Sequence, residues 1–265
     1  MPEFKRRQYG RNHSYYLDGQ KLPGVTTILG DGLAKPALVA WGINTTAGYA
    51  ADHWDELAEL PVSKRIEQLK KAPYADRDAA AKRGTEVHRL AEQLAKGDEV
   101  TVPDELAGHV DSYVRFLDEF DVEPVLLETA CVSLTKWPYA GTFDAIFDFK
   151  RRGRRLCDVK TARSGVFPDN ALQLSAYEEC THYAGPGDGW QLHSMADLGI
   201  EGCDVIHVRA DGYDVVPVKT GPEVFRIFRY AQQMHAWANE LSKTVVGEAV
   251  TPDAYVFPRD EEVPF

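Results

Sequence analysis

Residues 141–160 read GTFDAIFDFKRRGRRLCDVK, and this stretch restricts the fold more than any other. Two runs of β-forming residues flank a charged turn at Arg152-Gly153, which predicts a hairpin. Asp144 lies in the first run; Asp158 and Lys160 lie in the second. Residues two apart on a strand face the same side, so Asp158 and Lys160 share a face while Val159 turns into the core. The hairpin brings Asp144 beside them. Two carboxylates and an ammonium in an apolar sheet are costly to bury unless something pairs with them. A divalent cation would supply the missing charge, and hard oxygen donors select Mg²⁺ or Mn²⁺. On its own, D-x-K is a common tripeptide and reads first as a same-face ion pair on a solvated strand. The wider pattern decides between the two.

Around this hairpin the chain divides into a helical first half and an alternating second half. Asp18-Gly19 follows Tyr15, Tyr16 and Leu17 and predicts a hairpin turn, with Pro23-Gly24 and Val25–Leu29 closing the segment as a turn. Helices are predicted over 36–60, starting at Pro36, over a short amphipathic piece at 62–71, over 76–96 with Gly84 interrupting it, and over 104–120. Strands follow at 125–134, 139–149 and 155–161. A helix at 170–183, a loop at 185–189, a hairpin of 205–209 with 213–218, and a helix at 222–241 complete the order. The reading is α/β: a central mixed sheet flanked by helices, with an N-terminal helical extension. One domain spans 1–245, its 1–120 part mainly helical and its 121–245 part the sheet core; 246–265 forms an acidic, irregular tail.

Composition narrows the function classes. With 265 residues and 44% hydrophobic content the chain can bury a real core. No apolar run reaches membrane-spanning length and no signal peptide precedes the fold, so a soluble protein of a bacterial or phage-infected cytoplasm is expected, without a membrane partner. Net charge is −11, which argues against a nucleic-acid coat protein but not against a nuclease whose charge is segregated. Segregation is visible: 150–155 read KRRGRR, while Glu248, Asp253, Asp260, Glu261 and Glu262 crowd the tail. The basic turn is either a solvated tip or a grip on a DNA backbone; the tail either docks a partner or mimics DNA. Cys131, Cys157, Cys180 and Cys203 are too far apart for a zinc or iron–sulfur motif and read as reduced, buried thiols. No Walker A pattern is present, so no ATP site is expected.

Four motifs stand in order: G-T-x-x-H (Gly84, Thr85, His88), G-x-x-D (Gly141, Asp144), D-x-K-T (Asp158, Lys160, Thr161) and Q-x-x-x-Y (Gln173, Tyr177). Together they resemble the RecB-type branch of the PD-(D/E)XK nucleases over roughly residues 84–177. The resemblance implies a restriction-endonuclease-like core. It implies that His88, Asp144, Asp158 and the backbone carbonyl of Val159 bind one or two Mg²⁺ or Mn²⁺ ions, that Lys160 is the catalytic lysine, and that Gln173 and Tyr177 face the site. Glu128 would be an outer acid for a second metal or a water. Glu92, one turn after His88, either orients it or is a solvated helix charge. Relatives of this branch in CRISPR adaptation carry an iron–sulfur cluster, whose grouped cysteines this chain lacks.

The implied activity is a DNA exonuclease resecting ends for recombination, its partners being DNA and a single-strand annealing protein, with homo-oligomers known in the class. A structure-specific or single-strand endonuclease on the same scaffold, or a non-catalytic DNA-end-binding module, are the alternatives.

Overall fold

The computed structural model describes residues 2–9, 12–162 and 165–249; most of the predicted acidic tail, from 250 onward, lies outside them. Strands β1 (Phe4–Tyr9), β2 (Asn12–Leu17) and β3 (Gln20–Leu22) open the chain as a three-stranded antiparallel sheet. Asp18 and Gly19 both have positive φ, 48° and 78°, as a two-residue turn of the I′ kind demands. The extension is therefore helical only after this small sheet. β1 is not predicted from sequence, because its centre, Lys5-Arg6-Arg7-Gln8, carries no apolar alternation.

Val25–Leu29, predicted as a turn, instead belongs to helix α1 (Val25–Gly32). Val25, Ile28 and Leu29, spaced one turn apart, are buried, and that packing overrides the β-propensity of the segment. Helices α2 (Pro36–Asp52) and α3 (Trp54–Ala58) break the predicted 36–60 helix at His53. Helix α4 (Val62–Ala95) runs unbroken through Pro73 and Gly84, joining two predicted pieces into 34 residues. Its C-terminal half is the anchored one, with Val87, Leu90 and Ala91 buried. Helix α5 (Ala107–Phe120) ends at Asp121 in the left-handed region and leads into the main sheet.

That sheet contains β4 (Val122–Ser133), β5 (Tyr139–Phe149), β6 (Gly153–Lys160), β7 (His182–Ala184), β8 (His193–Ser194), β9 (Gly202–Arg209) and β10 (Gly212–Val218). Among the described residues its order is β10-β9-β6-β5-β4-β7-β8, with β6 and β9 parallel. A parallel neighbour requires a crossover, and helix α6 (Pro168–Glu178) lies within it. With α7 (Pro222–Asn239) the chain is a mixed α/β structure, a seven-stranded sheet flanked by helices. One face packs Leu156, Val205 and Ile146 against α1, α6 and α7 through Ile28, Leu174, Tyr177 and Phe228. The other packs Phe147, Cys157, Val159 and Ile206 against Ala91, Tyr113 and Phe116 of α4 and α5. All four cysteines are buried free thiols. No helix among the described residues is long and apolar enough to cross a membrane.

Lys150, Arg152, Arg154 and Arg155 of the KRRGRR turn pair with the protein's own carboxylates, and Arg151 is exposed. Arg152 and Arg155 bond the fully buried Asp204 at 2.9 and 2.8 Å. Arg154 grips Asp148 through two bonds of 2.7 and 2.8 Å, and Lys150 pairs with Asp121. A buried carboxylate without these cations would be strongly destabilising. The turn also begins six residues beyond Asp144, about 20 Å along the strand, so it does not flank the metal-binding candidates.

Candidate metal centre

Regular pairing of β5 with β6 ends at Ala145↔Cys157. One step further the register sets Asp144 across from Asp158. There the strands part, and the Asp144 side chain takes over the ladder: Val159 N–H donates to Asp144 Oδ2 at 2.6 Å. A strand residue directs its N–H and C=O toward the same neighbour, so the Val159 carbonyl, the predicted backbone ligand, also points toward Asp144.

On the other flank, the pairs Leu127↔Ala145 and Thr129↔Phe143 put Glu128 across from Asp144. Glu128 has φ 43°, in the left-handed region, a conformation that costs a side-chain-bearing residue on the order of 1–2 kcal/mol. The inside–outside alternation breaks at the same level. Tyr139 and Phe143 join the core beneath α6 and α7, whereas Ala145, Phe147 and Phe149 join the core beneath α5. The sheet is thus kinked where both acids sit.

Helix α4 delivers the third group. With Val87 and Leu90 clamped in a small core against α5, His88 is turned toward the sheet, its Nδ1 3.5 Å from Asp144 Oδ2. One ligand atom from each of His88, Glu128 and Asp144 lies within 4.8 Å of the others. Gly84, one turn earlier, allows this approach, since a Cβ there would meet Thr161 Oγ1 at 3.3 Å.

Asp158, predicted as a ligand, stands beside this set rather than within it. It is 1% exposed. Its Oδ1 accepts from Gln173 Nε2 at 3.0 Å, and its Oδ2 has Lys160 Nζ at 2.6 Å but no well-formed hydrogen bond. Gln173 Nε2 also reaches Tyr177 OH at 3.2 Å, so the two α6 residues predicted to face the site do so as a linked pair. Gly141 explains itself here, because a Cβ at that position would collide with the Tyr177 ring. Glu92 pairs with Lys96 at 2.6 Å, the solvated-charge alternative of its two readings.

Electrostatics register the crowding. Burial and then Asp144 raise Glu128 to a pKa of about 7. Burial opposes the charged form of His88, but the charge and hydrogen bond of Asp144 outweigh it and lift His88 to about 9. Asp144 itself is lowered: burial works upward, and His88, Lys160 and the Val159 N–H prevail. Burial raises Asp158 to about 6 despite Lys160, with Asp144 adding to the rise. Three carboxyl groups, one imidazole and one ammonium therefore share a half-buried space, with an orphaned oxygen on Asp158. Oxygen-rich donors with a single imidazole, confined to a few ångströms, fit a hard divalent ion. Alongside, a cleft of about 890 Å³ opens between α4 and the end of β6, lined among others by Lys82, Arg83, Thr85, Thr161 and Arg209; it flanks the acids rather than containing them.

No family model and no curated protein matches this chain. A solved structure described as SSO0001 is 17% identical and aligns over 74% of this chain and 71% of its own, with a TM-score of 0.35. Similarity at that level says nothing about activity.

Proposed function

We propose that this chain is a metal-dependent deoxyribonuclease, an exonuclease that hydrolyses phosphodiester bonds at DNA ends, in a bacterial or phage recombination setting. One observation carries the reading: His88, Glu128 and Asp144 converge within 4.8 Å, next to an Asp158–Lys160 ion pair on the adjoining strand. The RecB-type resemblance implies a D, a D-x-K and an upstream histidine in one place, and the meeting of α4, β5 and β6 supports that reading.

His88, Glu128 and Asp144 would hold a Mg²⁺ or Mn²⁺ ion, with Asp158 and the Val159 carbonyl at its edge. When bound, such an ion lowers the pKa of a coordinated water and neutralises phosphate charge. The protein's own groups do the rest. Asp144 stays ionised because Val159 N–H and His88 stabilise its charge. Lys160 is held near Asp158 and keeps its proton, since Asp158 and Asp144 outweigh the burial that opposes it. A fixed ammonium there positions the attacking water and shares the charge that develops on the phosphorane oxygens. Gln173 locks the Asp158 rotamer and ties it to Tyr177.

Digestion of linear duplex labelled at the 5′ or the 3′ end, with Mg²⁺, with Mn²⁺ and with chelator, tests the reading. Metal-dependent, progressive loss from one end is expected, and covalently closed circles should survive. Cleaved circles would make it an endonuclease on the same scaffold. DNA binding with no cleavage under any metal would sink the catalytic reading and leave a DNA-end-binding module.

A further inference from the structure

A positive side chain from the far end of the sequence is docked beside this centre. Arg6 belongs to β1, where it pairs with Tyr15 of β2. Its Nη1 donates to Thr142 Oγ1 at 3.1 Å, and Tyr15 OH shares that hydroxyl at 2.8 Å. Thr142 precedes Asp144 by two residues, about 7 Å along the strand. It also pairs with Ala130, itself two residues from Glu128. The small N-terminal sheet is thus bolted to β5 with a guanidinium at the bolt, next to both acids.

We propose that Arg6 is a phosphate-contacting residue of the site, holding the DNA backbone on the side of the centre opposite Lys160. The inference rests on the nuclease reading of that centre. Its bond to Thr142 goes to a neutral hydroxyl, so the positive charge is left uncancelled by that bond and the fork keeps donors for an anion. The residue is half-buried: oriented by Thr142 and Tyr15, yet open to a ligand. The location answers an electrostatic need. Glu92, Glu128, Asp144 and Asp158 repel an incoming phosphate, and a chain of net charge −11 has no general attraction for DNA to offset them.

The test compares wild type, Arg6→Gln, Arg6→Lys and the control Arg154→Gln, which removes a charge from the remote turn. Binding of a fluorescein-labelled short duplex and of the same single strand is followed by anisotropy in chelator over roughly 50–200 mM salt. For Arg6→Gln the slope of log affinity against log salt should fall by about 0.9 on duplex, or 0.7 on single strand, the release expected for one phosphate contact. KM should rise about tenfold with kcat little changed, and Arg6→Lys should recover part of the loss. Arg154→Gln should keep the wild-type slope. An Arg6→Gln protein that melts lower but binds with the wild-type slope would show Arg6 to be only a strut, and would overturn the proposal while wild-type cleavage leaves the nuclease reading intact. Wild type that binds without cleaving would remove the nuclease reading, and the slope would still decide the role of Arg6. Absence of any binding would end both.

Discussion

Val159 N–H donates to Asp144 Oδ2 across 2.6 Å, just where β5 and β6 cease to pair. A side chain proposed as a metal ligand therefore also closes the sheet. The two duties separate by mutation. Asp144→Asn keeps an acceptor for the N–H and should abolish cleavage, its cost in stability being confined to the lost His88 pairing. Asp144→Ala leaves the donor unsatisfied and should cost a further 1–3 kcal/mol or so. Paired activity assays and melts check this; equal stability of the two variants would show that the bond does not hold the strands.

Lys160→Met tests the ammonium. The side chain keeps most of its volume and loses its charge, and Asp158, already raised to about 6, is then left neutral by protonation. Cleavage with Mn²⁺ should fall by about 10²–10³, the usual effect of removing one preorganised charge, while the circular-dichroism spectrum stays native. Gln173→Ala, which frees Asp158, should instead weaken metal binding about 10- to 100-fold, read by metal titration of the rate.

Glu128→Gly should stabilise the metal-free protein by about 1 kcal/mol. Glycine relieves the left-handed backbone and removes a carboxyl whose ionisation burial opposes. The same change should weaken metal affinity. A variant less stable than wild type in chelator would show that the strain is absent in solution.

Stability of the metal-free protein should decline with pH. His88 is raised from 6.5 to about 9 and Glu128 from 4.5 to about 7, so each adds stability that is full below its lower value and is lost as pH passes the upper one. Asp144, shifted the other way, matters only at the acid end. Between pH 6.5 and 9 the loss should reach about 3 kcal/mol, and Lys160, on the same space, keeps its charge throughout. Bound Mn²⁺ requires deprotonated ligands and should reverse the slope. Melts with and without metal across this range decide it, and His88→Gln should flatten the chelator curve.

Legibility in the sequence followed the strength of local pattern. The β5–β6 hairpin, the shared face of Asp158 and Lys160, and the helices α5 and α7 could be read, since periodicity and breakers agree there. β1 could not, because its charged centre has no alternation, and only the tertiary bond from Arg6 to Thr142 shows its purpose. α1 was hidden by β-branched residues whose burial outweighs propensity. Pro73 and Gly84 suggested breaks that α4 does not make. At the candidate site, motif order pointed to His88, Asp144, Asp158 and Lys160, which the fold brings together, but the exchange of places between Glu128 and Asp158 within the tight cluster depends on register and on a single left-handed residue.

Strand β6, which bears Asp158 and Lys160, lies between β5 and β9, and β9 is made some forty residues later in the chain. On the ribosome the motifs thus emerge well before the strand that flanks them. A chain ending before β9 carries His88, Glu128, Asp144 and Asp158 yet lacks one wall of the candidate centre. On the proposed reading, the centre is completed only with the second half of the sheet.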